Sequence, residues 1–406
     1  MEHLLDNMRF LCDQTRMLTG ITAAYGTSRE SEYALYGRAQ EVQLENGQFV
    51  SCVRAMQEDS LFDLASLTKL FTSVMTMILV ERGMLSLTEC IGEIDARFVH
   101  LKEVSVFDTL CYRACVQTPG RIDDAPDREE GLRRLFFAAP APSPAVRIYS
   151  DINAMIMKYV IEAKTGMALY DAIQAYILRP VGMTETYAHV PEGKRSRCLC
   201  YNYEHRIVRE KFILRTDTAL GVPHDPKAML LSKDGDLCGH AGLFSTRTDM
   251  VRFAQALLRS ELISRASLLE IATNRTGRYN EDGTYRQPLG FLCFTKHPLQ
   301  RLSEVPAHMG AHALGISGFT GNHLVLDPDL DCFEAFLGNR CHGRVSHITP
   351  PQGVELSHYG LDEIGAGLVP WPDGRQVPSS AKYVYQKDAC LHEPIVQRMH
   401  QLGWLA

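Results

Sequence analysis

Leu70 to Val80 is the stretch that most restricts how this chain folds: 11 residues without a charge, in which only Thr72, Ser73 and Thr76 are polar. Such a run belongs out of water, since burying apolar surface is favourable by roughly 25 cal/mol per Å². A bilayer takes about 20 apolar residues, so this run is too short to span one and reads as a buried helix. Leu67, Leu70, Phe71, Val74, Met77 and Ile78 recur at spacings of three and four. The helix is therefore expected over about Ser66 to Arg82, with Gly83 as its stop, and the rest of the chain must wrap around it.

The wrapping material is read from the two ends inward. Thr22 to Tyr25 and Glu32 to Tyr36, on either side of Gly26-Thr27-Ser28, form a hairpin pattern, and Val50 to Val53 adds a further strand. Gly318 to Leu326 and Cys332 to Leu337 read as two more strands joined by Asp327-Pro328-Asp329. Between these sets Leu85 to Phe244 is mostly helical, with one helix over about Asn153 to Lys164 and an irregular proline-rich approach, Ala138 to Pro144, leading to Tyr149. Thr246 to Asp249 is a capping box before Met250 to Leu258. Strands, helical block, strands again: this order predicts an α/β chain of the α+β type. Its antiparallel sheet is flanked by helices and built from residues 1–84 and 245–406, with 85–244 as a mainly helical insertion. A length of 406 residues, more than one core usually supports, fits two packed regions. Residues 349–406 contain Pro350, Pro351, Pro370, Pro372 and Pro378 and read as a loop-rich extension ending in a helix near Leu391 to Leu402.

Charge and composition remove several function classes. The net charge of −6 is spread along the chain without a basic run, which argues against nucleic acid and membrane as partners. Met1 to Gly20 carries Glu2, Asp6, Arg9, Asp13 and Arg16 and reads as an amphipathic helix, not a signal peptide, so a cytoplasmic address is expected. The 12 cysteines form no C-x-x-C pair and are expected as free thiols. Neither a cofactor nor a metal is expected: His308 and His312 have helical zinc spacing, but Gly310 lies between them and no H-E-x-x-H motif is present. The sequence leaves the oligomeric state open.

Three strings carry chemistry. In Phe62-Asp63-Leu64-Ala65-Ser66-Leu67-Thr68-Lys69, Ser66 and Lys69 are three apart on one helix face, within hydrogen-bonding reach. A serine hydroxyl becomes a nucleophile when a neighbouring base takes its proton, and a desolvated Lys69 supplies one. The amides and positive end of the helix would face an oxyanion formed there. The spacing alone is common: Ser379-Ser380-Ala381-Lys382 repeats it after a proline-rich stretch. Tyr149-Ser150-Asp151 is the second string; a tyrosine beside a lysine shuttles protons, with Asp151 expected as the N-cap of the following helix. The third is Gly315-Ile316-Ser317-Gly318-Phe319-Thr320-Gly321, where small residues let a substrate approach a strand.

Together these strings resemble the serine beta-lactamase-like superfamily, in its class C beta-lactamase, penicillin-binding-protein and esterase branch. Phe62 to Lys69 is similar to that branch's FDLASLTK segment, and Ile177 to Thr186, with Pro180-Val181-Gly182-Met183, to its PLGM-x-x-T segment. Val222-Pro223-His224-Asp225 resembles a VHD segment, Gly239 to Thr246 a GHAGLFST segment, and Asn339-Arg340 the NR near the last strand. The resemblance runs from about Thr22 to His342. It implies a beta-lactamase/transpeptidase-like fold, catalytic Ser66, Lys69 and Tyr149, and an oxyanion hole made by the Ser66 and Phe319 amides. It also implies supporting or substrate-binding roles for Asp151, Ile316, Ser317, Gly318, His224 and His240. The literal Lys164-Thr165-Gly166 is set aside as a helix end, with Gly166 as its C-cap.

Two positions depart from the branch. Ile316 stands where Lys, His or Trp is usual, which suggests a neutral or apolar group of the substrate beside it. Leu110 to Gln117, containing Arg113, replaces L-L-T-H-T-S-G-L. The expectation is a serine hydrolase that forms an acyl-enzyme on Ser66, an esterase on a small-molecule ester or amide. Amidase, D-amino-acid peptidase or acyltransferase activity uses the same machinery. The competing classes are a non-catalytic binding module and a zinc hydrolase.

Overall fold

The computed structural model describes residues 1–141, 149–232, 235–279, 283–297 and 304–405. Both ends of the chain feed one seven-stranded antiparallel sheet. The first end supplies β1 (Gly20–Gly26), β2 (Ser31–Glu45) and β3 (Gln48–Ala55). The second supplies β4 (Phe294–Thr295), β5 (Leu314–Gly318), β6 (Asn322–Asp327) and β7 (Cys332–Gly338). Across the sheet the order is β4-β5-β6-β7-β1-β2-β3. β1 joins β7 from Ile21↔Gly338 to Gly26↔Phe333.

The period-two pattern explains how the sheet is covered on both faces. Leu324, Leu326, Phe333, Ala335 and Leu337 point into the larger core. That core contains α2 (Thr68–Glu81), α3 (Asp151–Thr165) and α5 (Arg247–Leu258). Val325, Cys332 and Phe336 point the other way, onto α1 (Glu2–Arg9) and α7 (Glu393–Gln401). The apolar run is the centre of the larger core: every residue of α2 from Thr68 to Leu79 is buried. Phe71 stacks on Phe253 of α5 at 4.1 Å between centroids.

The structure departs from the sequence expectation in three places. Gly318 to Leu326 is not one strand: Gly321, at φ +115°, turns the chain between β5 and β6. The helical block also holds a hairpin, Glu204–Val208 with Lys211–Arg215, to which Val345–Thr349 adds a parallel strand. Its turn is made by Arg209 and Glu210, both left-handed, so the glycine or asparagine that usually marks such a turn is missing. Finally, the extension is more structured than its prolines suggest. It forms α6 (Tyr383–Lys387) and a π-helical turn (Asp388–His392) before α7.

All 12 cysteines are free. No helix among the described residues is long and apolar enough to cross a membrane. The proline-rich approach to Tyr149 lies outside the described residues from position 142 to 148.

Candidate active site

Ser66 sits in a single 3-10 turn, Ala65–Leu67, that leads into α2. The turn is held by Asp63, whose carboxylate accepts from the Ala65 amide at 2.9 Å and the His224 amide at 2.6 Å. The Asp63 carbonyl accepts from Thr320 Oγ1 at 2.8 Å and Asn322 Nδ2 at 2.6 Å. These bonds hold Ala65 at φ +47°, a region L-residues avoid, and tie the Ser66 turn to the β5–β6 turn. Gly318 passes so close that a Cβ there would lie 2.6 Å from the Leu64 carbonyl oxygen.

One helical turn later, Lys69 is fully buried. Its Nζ donates to Ser66 Oγ at 2.9 Å, to Asp151 Oδ1 at 2.7 Å and to the His240 carbonyl at 3.4 Å. Burial pushes the ammonium down, but Asp151 and Tyr149 outweigh it and hold Lys69 above its ordinary value. Desolvation is present, as the apolar neighbours implied, yet it does not prevail, and Lys69 rests as a cation. Asp151 is free to do this because Ser150, not Asp151, caps α3, accepting from the Ile152 amide at 3.2 Å.

Tyr149 stacks on Phe294 at 5.1 Å and lies 5.6 Å from Tyr112, centroid to centroid. The Lys69 ammonium lies 5.0 Å from its ring centroid; burial raises the hydroxyl, Lys69 draws it partly back, and it stays above its ordinary value. Ser66, Tyr149, Phe294, Ser317, Gly318 and Phe319 line one cavity of about 280 Å³. Ser66, Lys69 and Tyr149 are thus brought together, and the Ser66 and Phe319 backbones flank the same space.

The match to the beta-lactamase family model covers residues 18–355, most of the chain. The chain belongs to the beta-lactamase family. It is 30% identical over 207 residues to a putative D-alanyl-D-alanine carboxypeptidase of Salmonella newport. That stretch is 49% of this chain and 46% of the relative, so the chain spans about half the length of the curated relatives it matches. The fold is similar to a class C beta-lactamase from Rhodobacter sphaeroides (TM-score 0.59, 17% identity, 84% of this chain and 95% of that one). It is also similar to EstCE1, a hydrolase with promiscuous acyltransferase activity (TM-score 0.61, 16% identity, 83% and 93% covered).

Against that family frame, Ile316 is displaced from the role its position implied. It is fully buried and packs in the core with Leu314 and Leu324, so it does not line the cavity. The strand alternates, and the side chain presented there is Ser317. Ser317 Oγ donates to Glu304 and receives Lys387 Nζ at 3.0 Å, with His323 Nδ1 at 2.9 Å. The wall is polar and charged where Ile316 had suggested a neutral or apolar substrate group. Burial pushes Glu304 up, but Lys387, His323 and Ser317 outweigh it and hold the carboxylate below its usual range.

The two histidines sit behind the cavity. His224 Nε2 meets Glu204 at 2.9 Å and its ring stacks on Phe319 at 5.6 Å. Burial lowers His224, but Cys341 and Glu204 raise it to about 10. His240 uses its carbonyl on Lys69 and its Nε2 on Asp225, at 2.8 Å. His308 and His312 contact different carboxylates, Glu334 and Asp329.

The sequence did not point to Lys227, Glu304, Tyr383 or Lys387. Tyr383 and Lys387, on α6, line the cavity although they lie beyond the family match. Arg340 lines it too; its carbonyl accepts from Ser380 Oγ at 2.6 Å, which gives the second S-x-x-K copy a supporting place in the structure. Lys227 had one legible signal. It stands in the first turn of α4 (Pro226–Leu231), capped by Asp225, where a cation opposes the helix dipole and therefore calls for carboxylates nearby. Two groups have metal-like spacing among the described residues, Glu204/His224/Cys341 and Asp151/Asp225/His240. In the first, Glu204 already meets Arg206 at 2.9 Å and Arg215 at 3.4 Å. In the second, the Lys227 ammonium stands between the two aspartates.

Proposed function

We propose that this beta-lactamase-family chain is an esterase that cleaves small or medium carboxylic esters through an acyl-enzyme on Ser66. The observation that carries this is the 2.9 Å hydrogen bond from the buried Lys69 ammonium to Ser66 Oγ, inside a cavity shared with Tyr149 and Phe319. Ser66 Oγ bonds to the ester carbonyl carbon as its proton passes to the Lys69–Tyr149 pair. The oxyanion is met by the Ser66 and Phe319 amides. The carbon–alkoxide bond then breaks, and Tyr149 returns the proton to the leaving alcohol. Water repeats the sequence in reverse and frees the acid. In the resting site Lys69 and Tyr149 both hold their protons, so one proton must leave before Ser66 attacks, and activity rises with pH above neutrality.

The aromatic lining of Tyr149, Phe294, Phe319 and Tyr383 supports an acyl ester of modest size. A second reading, a peptidase for D-amino-acid ends, is favoured by the names of the relatives and by Arg340 and Lys387 at the cavity wall, which suit a carboxylate.

The test is mass spectrometry after incubation with a fluorophosphonate, in which Ser66 Oγ bonds to phosphorus and fluoride leaves. A single adduct on Ser66, lost in Ser66→Ala, is expected; an unlabelled wild type or an adduct retained in the variant sinks the reading. Chromogenic esters, D-alanyl anilides and a cephalosporin then separate the two substrate classes. Turnover of anilides alone would favour the peptidase.

A further inference from the structure

Asp151 is shared between two cations. Its Oδ1 accepts from Lys69 at 2.7 Å, and its Oδ2 faces Lys227 Nζ at 3.1 Å. Lys227 is itself divided: Asp225 Oδ2 lies at 3.3 Å and Asp123 Oδ1, from the turn Ile122–Asp124, at 3.4 Å. Asp225 Oδ1 meanwhile meets His240 Nε2 at 2.8 Å. The groups facing Asp151 are Lys69 from α2, Lys227 and Asp225 from α4 and its cap, His240 from the 239–243 loop, and the hydroxyls of Tyr149 and Tyr112. Those facing Lys227 are Asp151, Asp225 and Asp123.

We propose that Lys227 is a positioning residue for Ser66 and Lys69: by holding the second oxygen of Asp151, it limits how firmly that carboxylate retains the proton on Lys69. The inference rests on the reading of Ser66 as the nucleophile. Lys227 does not touch Ser66 in any hydrogen bond among the described residues; it acts through Asp151.

The physical argument is one of sign. Attack by Ser66 requires the Ser66–Lys69–Tyr149 cluster to lose one proton. The negative charge of Asp151 opposes that loss, and a positive charge on its other oxygen favours it. The direction is the same whichever of Lys69 and Tyr149 is the group that ends deprotonated. Burial amplifies the effect, because Lys69 is fully buried and the Lys227 side chain is only 14% exposed, and water screens such charges less than surface ones. Burial pushes Lys227 down, but its three carboxylates outweigh this and raise it, so it remains a cation throughout the range in which the cluster gives up its proton. Asp151, Asp225 and His240 have the spacing of a metal site, and the ammonium of Lys227 supplies the cation such a group calls for.

The neighbours give the proposal a second handle of opposite sign. Asp123 is one of two carboxylates that compete with Asp151 for Lys227. Neutralising Asp123 leaves more of the Lys227 charge to Asp151, loosening the Lys69 proton. Removing the Lys227 charge tightens it.

The experiment measures the rate of Ser66 labelling by a fluorophosphonate from pH 6 to 11, by mass spectrometry, in the full chain and its Lys227→Met, Lys227→Arg and Asp123→Asn variants. Lys227→Met is expected to move the acid limb of the profile up by about one pH unit, slowing labelling at neutral pH about tenfold while the alkaline plateau is kept. Lys227→Arg restores the limb, and Asp123→Asn moves it down. If Lys227→Met does not fold, by its thermal melt, the Asp123→Asn shift still decides the sign. A limb that stays in place while labelling falls equally at every pH, or that moves the same way in Lys227→Met and Asp123→Asn, overturns the inference alone. A wild type that does not label at Ser66 overturns the nucleophile reading and the inference with it.

Discussion

A methyl group at position 318 would sit 2.6 Å from the Leu64 carbonyl oxygen, and the Leu64 backbone is anchored beside Asp63, which four hydrogen bonds hold in place. The neighbour cannot yield cheaply, so Gly318→Ala is expected to cost about 1–3 kcal/mol in a urea melt. It should also slow Ser66 labelling at least tenfold by pushing β5 away from the serine turn. Residues of this local kind are the ones a sequence displays best. Ser66 and Lys69 are one helical turn apart, and that spacing alone brings their atoms together. Lys227 and Lys387 reach the site across many intervening residues, and only the folded topology makes them neighbours. Ile316 shows the converse hazard. Its place in the motif string suggested a substrate contact, but the strand's alternation turns its side chain into the core.

Helices α2, α3, α5 and α7 and strands β1, β2, β3, β6 and β7 followed from periodicity and end signals, whereas β4 and Val345–Thr349 did not. Gly166 closes α3 in the left-handed region at φ +67°, with nothing within 4 Å of where its Cβ would be. Gly166→Ala therefore strains the backbone without a clash; a loss of about 1 kcal/mol in denaturant midpoint analysis is expected, with Ser66 labelling unchanged. Thr246 caps α5 by accepting from the Asp249 amide at 3.3 Å, as its S/T-x-x-D pattern implied. The hairpin over Glu204–Val208 and Lys211–Arg215 escaped because its turn residues, Arg209 and Glu210, carry no turn signal. The break at Gly321 was hidden for a related reason: the glycine was read as lining a strand rather than ending one.

At the scale of the molecule, the C-terminal segment is fastened to the sheet by a buried carboxylate. Glu334 on β7 meets His392 at 2.5 Å and His308 at 2.7 Å. Burial pushes Glu334 up, but the two histidines outweigh it and bring its pKa down to about 2, from an ordinary 4.5. A depressed carboxylate contributes stability that is present above pH 4.5 and is lost as pH falls from 4.5 towards about 2. The melting temperature of the wild type should therefore drop through that window more steeply than that of Glu334→Gln, which starts lower at pH 7. Parallel pH slopes for the two proteins would refute this. Residues 349–406 read as a loop-rich extension ending in a helix, and the helix is there at Glu393–Gln401, but prolines advertise loops and say nothing of what the intervening residues pack against.

The pairing of β1 with β7 has a consequence in time. Thr19 Oγ1 donates to the Asn339 carbonyl, 320 residues further along the chain. During synthesis, at about 5–20 residues per second, the first hairpin leaves the ribosome long before the strand that will cover its open edge exists. For that interval the nascent chain offers β1 to any other strand it meets, the circumstance in which chaperones earn their place and in which misassembly begins. The cavity wall on α6 arrives later still, so a ribosome that stalls after β7 releases a chain that lacks the Tyr383 and Lys387 side of the cavity.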